Sequence, residues 1–143
     1  MPRVERNIEI NAPQKDIFNI LNNTMIGPKW NLAVNEVTKI TETEFAVKST
    51  VGDFTTIRTE TVDPERLSMN IDGGIFNSMG YILNPKGDIV EATIWGEFDD
   101  EKSEKILVKA GELLLKCLKN YAEFLEEGGN PENFDKKQIT VAP

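Results

Sequence analysis

A chain of 143 residues, 39% hydrophobic and 28% charged, can bury one core without disulfides or metals and reads as a single globular domain. No apolar run approaches the ~20 residues of a membrane span, and a net charge of −8 without any Lys/Arg cluster argues against nucleic acid or anionic membranes as partners. Histidine is absent and cysteine occurs once, as Cys117, which excludes Ser–His and Cys–His nucleophile pairs, His-ligated zinc and an internal disulfide. The opening MPRVER lacks the apolar stretch of a secretory signal, so a cytoplasmic location is expected.

Val4 to Ile10 alternates apolar and polar residues, the signature of a strand. Asn11-Ala12-Pro13 then announces a short helix whose apolar face is Ile17, Phe18 and Leu21. Thr24 to Asn31 is irregular or briefly helical, broken by Gly27-Pro28. Six further strands are predicted: Val34–Thr41, Glu44–Val51, Phe54–Val62, Leu67–Asp72, Phe76–Leu83 and Ile89–Phe98. Turn chemistry separates them at Gly52-Asp53, Asp63 to Arg66, Asp72 to Gly74 and Asn84 to Gly87. Asp99 or Asp100 can cap the long helix that follows, and Gly128-Gly129 can end it. A domain over 1–128 and a loosely held tail over 129–143 are expected.

The last helix is the most informative element. Between Glu101 and Glu127, one side carries Ile106, Ala110, Leu113, Leu114, Cys117, Leu118, Tyr121, Phe124 and Leu125. The other carries Lys102, Lys105, Lys109, Glu112, Lys116, Lys119 and Glu123. At ~100° per residue the apolar arc spans roughly half the circumference, wider than the stripe of a helix lying on a flat surface. Such a helix must be wrapped, and the preceding strands are the natural wrapping.

Hairpin geometry orients those strands. If Gly52-Asp53 is a two-residue turn, Phe45 opposes Glu60; if Asp63 to Arg66 is a four-residue loop, Glu60 opposes Met69; if Asn84 to Gly87 closes the next hairpin, Tyr81 opposes Val90. One face then carries Phe45, Val47, Phe54, Arg58, Glu60, Val62, Met69, Ile71, Met79, Tyr81 and Ile94, and should meet the long helix. The opposite face is rich in Thr, Ser and Glu and suits solvent. A slip of one residue in any turn inverts every strand beyond it.

This order of elements resembles the START-like superfamily, which includes polyketide cyclases and lipid-transfer domains. The resemblance runs from Val4 to Glu127. It is carried by Ile8-Glu9-Ile10-Asn11-Ala12-Pro13 leading into Asp16-Ile17-Phe18, by Trp30, by Val62-Asp63-Pro64-Glu65-Arg66-Leu67 and by Tyr81-Ile82-Leu83. These are turn and core signatures, not catalytic ones. The resemblance implies an α+β helix-grip fold: a curved, antiparallel, seven-stranded sheet around a long C-terminal helix, with one or two short helices after the first strand. It also implies an apolar cavity for a small hydrophobic molecule. A fold of this breadth does not specify an activity.

Arg58 and Glu60 are the sharpest candidates, because charges in mid-strand on an inward face are costly unless paired or used. They are either a polar anchor, with Arg58 on an acidic or carbonyl group and Glu60 as its support or a base, or a structural ion pair, or residues turned outward by a bulge. Tyr81 and Tyr121 offer hydroxyls from sheet and helix, or core rings with wet hydroxyls. Trp30 either lines a cavity mouth or plugs the core. Phe45, Val47, Met69, Ile71, Met79, Ile94, Leu114 and Leu118 complete the expected lining. Met25, Met69 and Met79 suit an adaptable pocket and equally serve as gap-fillers. Cys117 reads as a small buried hydrophobe. Glu97, Asp99 and Asp100 are explained by capping, with metal binding the alternative. No cofactor or metal is called for. Phe76, Ile82, Ile89 and Trp95 fall on the outer face, where they suggest a homodimer surface or a dock for tail residues Ile139 and Val141.

Three functions are open at this stage. The first is a small-molecule binding protein with an apolar cavity and one or two polar anchors. The second is a cyclase- or dehydratase-type enzyme with Glu60 or a tyrosine moving protons. The third is a protein-interaction module with a filled interior.

Overall fold

Alternating and turn-bounded segments form one sheet because each strand buries only one face. The computed structural model describes residues 2–50 and 52–137. The strands are β1 (Arg3–Ile10), β2 (Val34–Lys39), β3 (Glu44–Ser49), β4 (Gly52–Val62), β5 (Arg66–Asp72), β6 (Ser78–Lys86) and β7 (Ile89–Glu97). All pair antiparallel in the order β1-β7-β6-β5-β4-β3-β2. β2 to β7 form a continuous meander, and β1 closes onto β7. Between β1 and β2 lie α1 (Gln14–Asn22), a single 3-10 turn and α2 (Gly27–Trp30). A second 3-10 turn leads into α3 (Glu104–Glu126). Among the described residues no helix is long and apolar enough to cross a membrane.

α1 starts after Pro13, with Asp16 in its first turn favouring the helix dipole, and buries Ile17, Phe18, Ile20 and Leu21. Asp100 caps the entry to α3 by accepting from the Lys102 backbone N–H at 2.9 Å. Asp99 instead accepts from Asn77 Nδ2 at 2.8 Å, and Ser78 Oγ donates to Glu97 at 2.8 Å. Among the described residues no three or more Cys, Asp or Glu side chains gather into a cluster that could hold a metal ion. At the far end Gly128 adopts φ +91°, and the Gly129 N–H returns to the Phe124 carbonyl at 2.9 Å. This left-handed stop is one that glycine accepts without strain.

The core gathers at the C-terminal half of α3. Leu115, Cys117, Leu118, Tyr121 and Ala122 pack there with α1, Ile10 and the inner residues of β5 to β7. Burial pushes the Cys117 thiol up, as befits an inert core group. Lys119 Nζ donates to the Glu9 carbonyl at 2.7 Å, and Glu123 accepts from the Asn11 N–H at 2.8 Å, which stitches this half of the helix to the end of β1.

The buried arc of α3 is turned relative to the one read from the sequence. Leu107 and Leu115 are 1% and 2% exposed, whereas Ile106 is 53% exposed. Apolar residues occupy more of the girth than the sheet covers. Ile106 lies at the margin of that arc, on the side the sheet does not reach.

Register departs from expectation at each hairpin. Ser49 pairs with Gly52, so β4 enters the ladder earlier than expected, and Phe45 opposes Thr56 rather than Glu60. Lys86 pairs with Ile89 around Gly87-Asp88, so Tyr81 opposes Ile94 rather than Val90. Both shifts move the pairing by an even number of positions, so the face assignments survive. The β4–β5 ladder differs in kind. A bulge lies between Arg58, which opposes Met69, and Glu60, which opposes Ser68. Thr59 is the extra residue. Arg58 keeps the concave side of Met69, while Glu60 and Val62 move to the convex side.

Phe76 also corrects an expectation. It precedes β6 and turns inward, 3.2 Å from where a Cβ on Gly96 would stand. It therefore leaves the convex patch on which self-association or tail docking was expected. Ile82, Ile89 and Trp95 remain there, with Ile82 opposite Thr93 and Trp95 opposite Gly80. Trp95 lies across Gly80 and beneath Arg3, whose guanidinium carbon is 4.5 Å from the ring centroid. A Cβ at Gly80 would sit 2.6 Å from that ring. Gly80→Ala is expected to lose ~1–3 kcal/mol in urea unfolding and to shift the tryptophan emission as the ring is displaced.

The chain beyond α3 makes specific contacts as far as Lys137 rather than hanging loose. The Phe134 ring sits 4.9 Å from Tyr121 and 5.1 Å from Phe124, centroid to centroid. Lys136 Nζ donates to the Asn31 and Val34 carbonyls at 3.2 and 2.9 Å. Ile139 and Val141 lie outside the described residues.

Candidate functional site

Where the N-terminal half of α3 crosses the sheet, the side chains leave space. A first lobe of about 80 Å³ lies between α3, β1 and β7. A second, of about 110 Å³, lies under α1 and α2 against β3 to β6. They share Asn31, Val34, Phe54, Met79 and Leu114 as common wall. Small residues make the first lobe possible. Gly111 in α3 stands over Ile94, where even a methyl group would reach van der Waals contact at 3.5 Å. Gly96 in β7 admits Phe76.

Most of the expected lining borders this space. Trp30, Val47, Met69 and Tyr81 face the second lobe, Ile94 faces the first, and Met79 and Leu114 face both. Four expected residues lie elsewhere. Leu118 is wholly buried in the core behind the lobes, and Ile71 packs beneath Gly74. Phe45 is half-buried on β3 and lines neither lobe. Tyr121 turns toward α1 and Phe134. Met25 is 47% exposed and is not a wall residue. Sequence reasoning passed over Phe76, Gly96, Gly111 and Asn31 as wall residues. The mid-element glycines were the available signal, since a glycine inside a strand or helix often marks close approach.

The polar groups of the second lobe are distinctive. Trp30 is 5% exposed, and its Nε1–H has no hydrogen-bond partner among the described residues. Tyr81 is buried, and desolvation holds its hydroxyl well above the ordinary phenol range, only partly countered by Arg58. It stays a neutral donor. Thr56 adds a third, 7% exposed side chain to the wall.

Arg58 stands at the edge of this lobe. Its β5 partner Met69, its strand neighbour Thr56, and the Leu21 and Asn23 that flank its partner Asn22 all line it. Its Nη1 donates to Asn22 Oδ1 at 2.8 Å and to Thr61 Oγ1 at 3.0 Å. Burial lowers its pKa, and the Tyr81 hydroxyl opposes that shift.

Glu60, expected beside it, is on the other face and 2.8 Å from Arg66 Nε. The bulge at Thr59 separates the pair. Glu60 is thereby removed both as an inward anchor and as a cavity base. Glu60→Gln should leave the urea midpoint and any cavity binding unchanged, measured by equilibrium unfolding and dye titration; a loss of binding would contradict the geometry.

Neither lobe is lined by an Asp or Glu, although the chain has 24 of them. Cationic side chains near the space include Arg58, Arg6, the latter 3.7 Å from Glu112 at the β1 margin of the first lobe, and Lys136, bound to the carbonyls of the wall residues Asn31 and Val34.

No protein-family model and no curated protein matches the chain by sequence. Solved structures do match by shape. A START superfamily protein from Mycobacterium smegmatis has TM-score 0.73 at 15% identity, covering 86% of this chain and 98% of that one. The Zhui aromatase/cyclase from Streptomyces sp. R1128 has TM-score 0.75 at 12% identity, covering 90% and 99%. An Aha1 dimer from Colwellia psychrerythraea has TM-score 0.68 at 14% identity, covering 91% and 100%. At these identities the likeness concerns shape. The chain has the START-like, polyketide-cyclase-type helix-grip fold: a seven-stranded antiparallel sheet around a long C-terminal helix.

Proposed function

We propose that this protein binds a small hydrophobic or amphipathic molecule in the two-lobed space between the sheet and α3. The observation that carries this reading is the space itself. The two lobes open partly to solvent and offer about 80 and 110 Å³ between walls of Phe, Met, Leu, Ile and Val. An apolar space with a few polar groups at one end suits ligand binding.

Binding fits the site better than catalysis. Proton transfer near neutral pH needs a group poised to titrate there. The lobes offer no carboxylate or imidazole, and the Tyr81 phenol is driven further from neutrality. A filled interior serving only protein contacts fits the space poorly. The aromatase/cyclase neighbour shares the fold without supplying its chemistry here.

Displacement of an environment-sensitive apolar dye, scored against a library of lipids and aromatic compounds and paired with native mass spectrometry, tests the reading. One-to-one complexes that displace the dye are expected. A library that yields no binder would defeat it.

A further inference from the structure

We propose that the ligand is an amphipathic monocarboxylate, held with its carboxylate at Arg58 and its apolar body extending past Met79 and Leu114 into the first lobe. This deepens the binding reading above and rests on it.

Three observations independent of the cavity's size carry the proposal. First, Arg58 has no ion-pair partner among the described residues, in a protein with net charge −8. Its hydrogen bonds among the described residues go to neutral groups: an amide and a carbonyl of Asn22, and the Thr61 hydroxyl. They engage Nη1 and, at 3.5 Å, Nη2, and leave Nε uncommitted. A half-buried guanidinium normally meets a carboxylate, since its fork matches the planar pair of oxygens. Among the described residues that counter-charge is missing.

Second, two residues that line the adjoining lobe carry buried donors. The Trp30 Nε1–H is a buried donor without a partner. An unmade hydrogen bond at such a group is costly, and natural cores seldom tolerate one without use. The Tyr81 hydroxyl, neutral and within electrostatic reach of Arg58, is a second donor. A ligand oxygen that displaces the atoms now covering Nε1 would supply the partner the protein lacks.

Third, the lobe excludes other head groups. Without an acidic side chain it has no partner for a cationic head. Arg58 stands at its edge, and the ammonium of Lys136 is already taken up by the Asn31 and Val34 carbonyls of its wall, which suits a single negative charge, whereas a phosphate monoester brings nearly two. A monoanion with an apolar body fits both ends of the space.

The test compares medium-chain alkanoates with alkanols of the same length, by dye displacement and calorimetry on the full chain at fixed ionic strength. The carboxylate should bind about tenfold or more tightly than the alcohol, the scale of a charge-assisted hydrogen bond. Arg58→Met, which keeps the stem and removes the charge, should bring the two affinities together by weakening the carboxylate alone. Arg58→Lys, which restores the charge, should recover part of the preference; it also answers any loss of folding in the Met variant. Equal affinity of acid and alcohol for the unaltered protein overturns the carboxylate proposal but leaves cavity binding intact. A preference that survives Arg58→Met overturns the role of Arg58. Failure of both compounds, with dye still unbound, overturns the binding reading itself.

Discussion

Leu118→Ala should lose ~2–5 kcal/mol of stability, toward the upper end of that range, while Ile106→Ala should change it by no more than ~0.5 kcal/mol. Both residues belong to the apolar arc of α3 in the sequence. Leu118 is 0% exposed, at the centre of the cluster that joins α3, α1 and the inner sheet, and Ile106 is 53% exposed. The difference follows from what surrounds each side chain. Around Leu118, fixed backbone on several sides prevents collapse, so a truncated side chain leaves a cavity as well as a lost transfer energy. Around Ile106 water already occupies most of the surface. Urea unfolding of the two variants reads the contrast directly, with unchanged m-values confirming that both remain two-state. Similar losses for the two would mean that α3 is rotated from the placement described, and that Leu107 rather than Ile106 is the exposed neighbour.

That pair also marks how far the sequence is legible. Alternation in β1, β5, β6 and β7, and the 3.6-residue period of α3, survive because each is a local consequence of burying one face. The even shifts at the β3–β4 and β6–β7 turns changed partners without changing faces, because side-chain direction depends only on parity. What stayed hidden depends on distant contacts. The bulge at Thr59 leaves no mark in the alternation, since Arg58 and Glu60 have the spacing of residues on one face. Phe76 sits in a loop after Gly73-Gly74, where strand parity does not apply, and it folds over Gly96. The seat of Phe134 against Tyr121 and Phe124 brings a polar tail segment onto the end of a helix, and no periodicity foretells it. The candidate site was therefore half visible. Met69, Met79, Tyr81 and Ile94 followed from parity, and the separation of Arg58 from Glu60 did not.

Leu114→Trp should reduce cavity binding by about tenfold or more, because residue 114 is shared wall for both lobes. An indole there has no room to turn outward without leaving the sheet side of α3, so it fills the space a ligand needs. Overpacking of this kind costs ~1–3 kcal/mol, which a folded domain can absorb. Leu114→Ala is the informative counterpart. It removes part of the wall and leaves the space open, so stability falls while a ligand still enters. The two substitutions thus separate occupancy from stability: in one the protein stays folded but is full, in the other it is weaker but vacant. Titration of an apolar dye into both variants, with urea midpoints measured alongside, gives the comparison. Undiminished dye binding by Leu114→Trp would place the dye away from the lobes, with the convex surface around Ile82, itself 38% exposed, the first alternative to test by an Ile82→Lys substitution. Loss of binding confined to Leu114→Trp leaves the interior as the only location consistent with both variants. The carboxylate preference at Arg58 then becomes a question about one end of a space whose other end is already located.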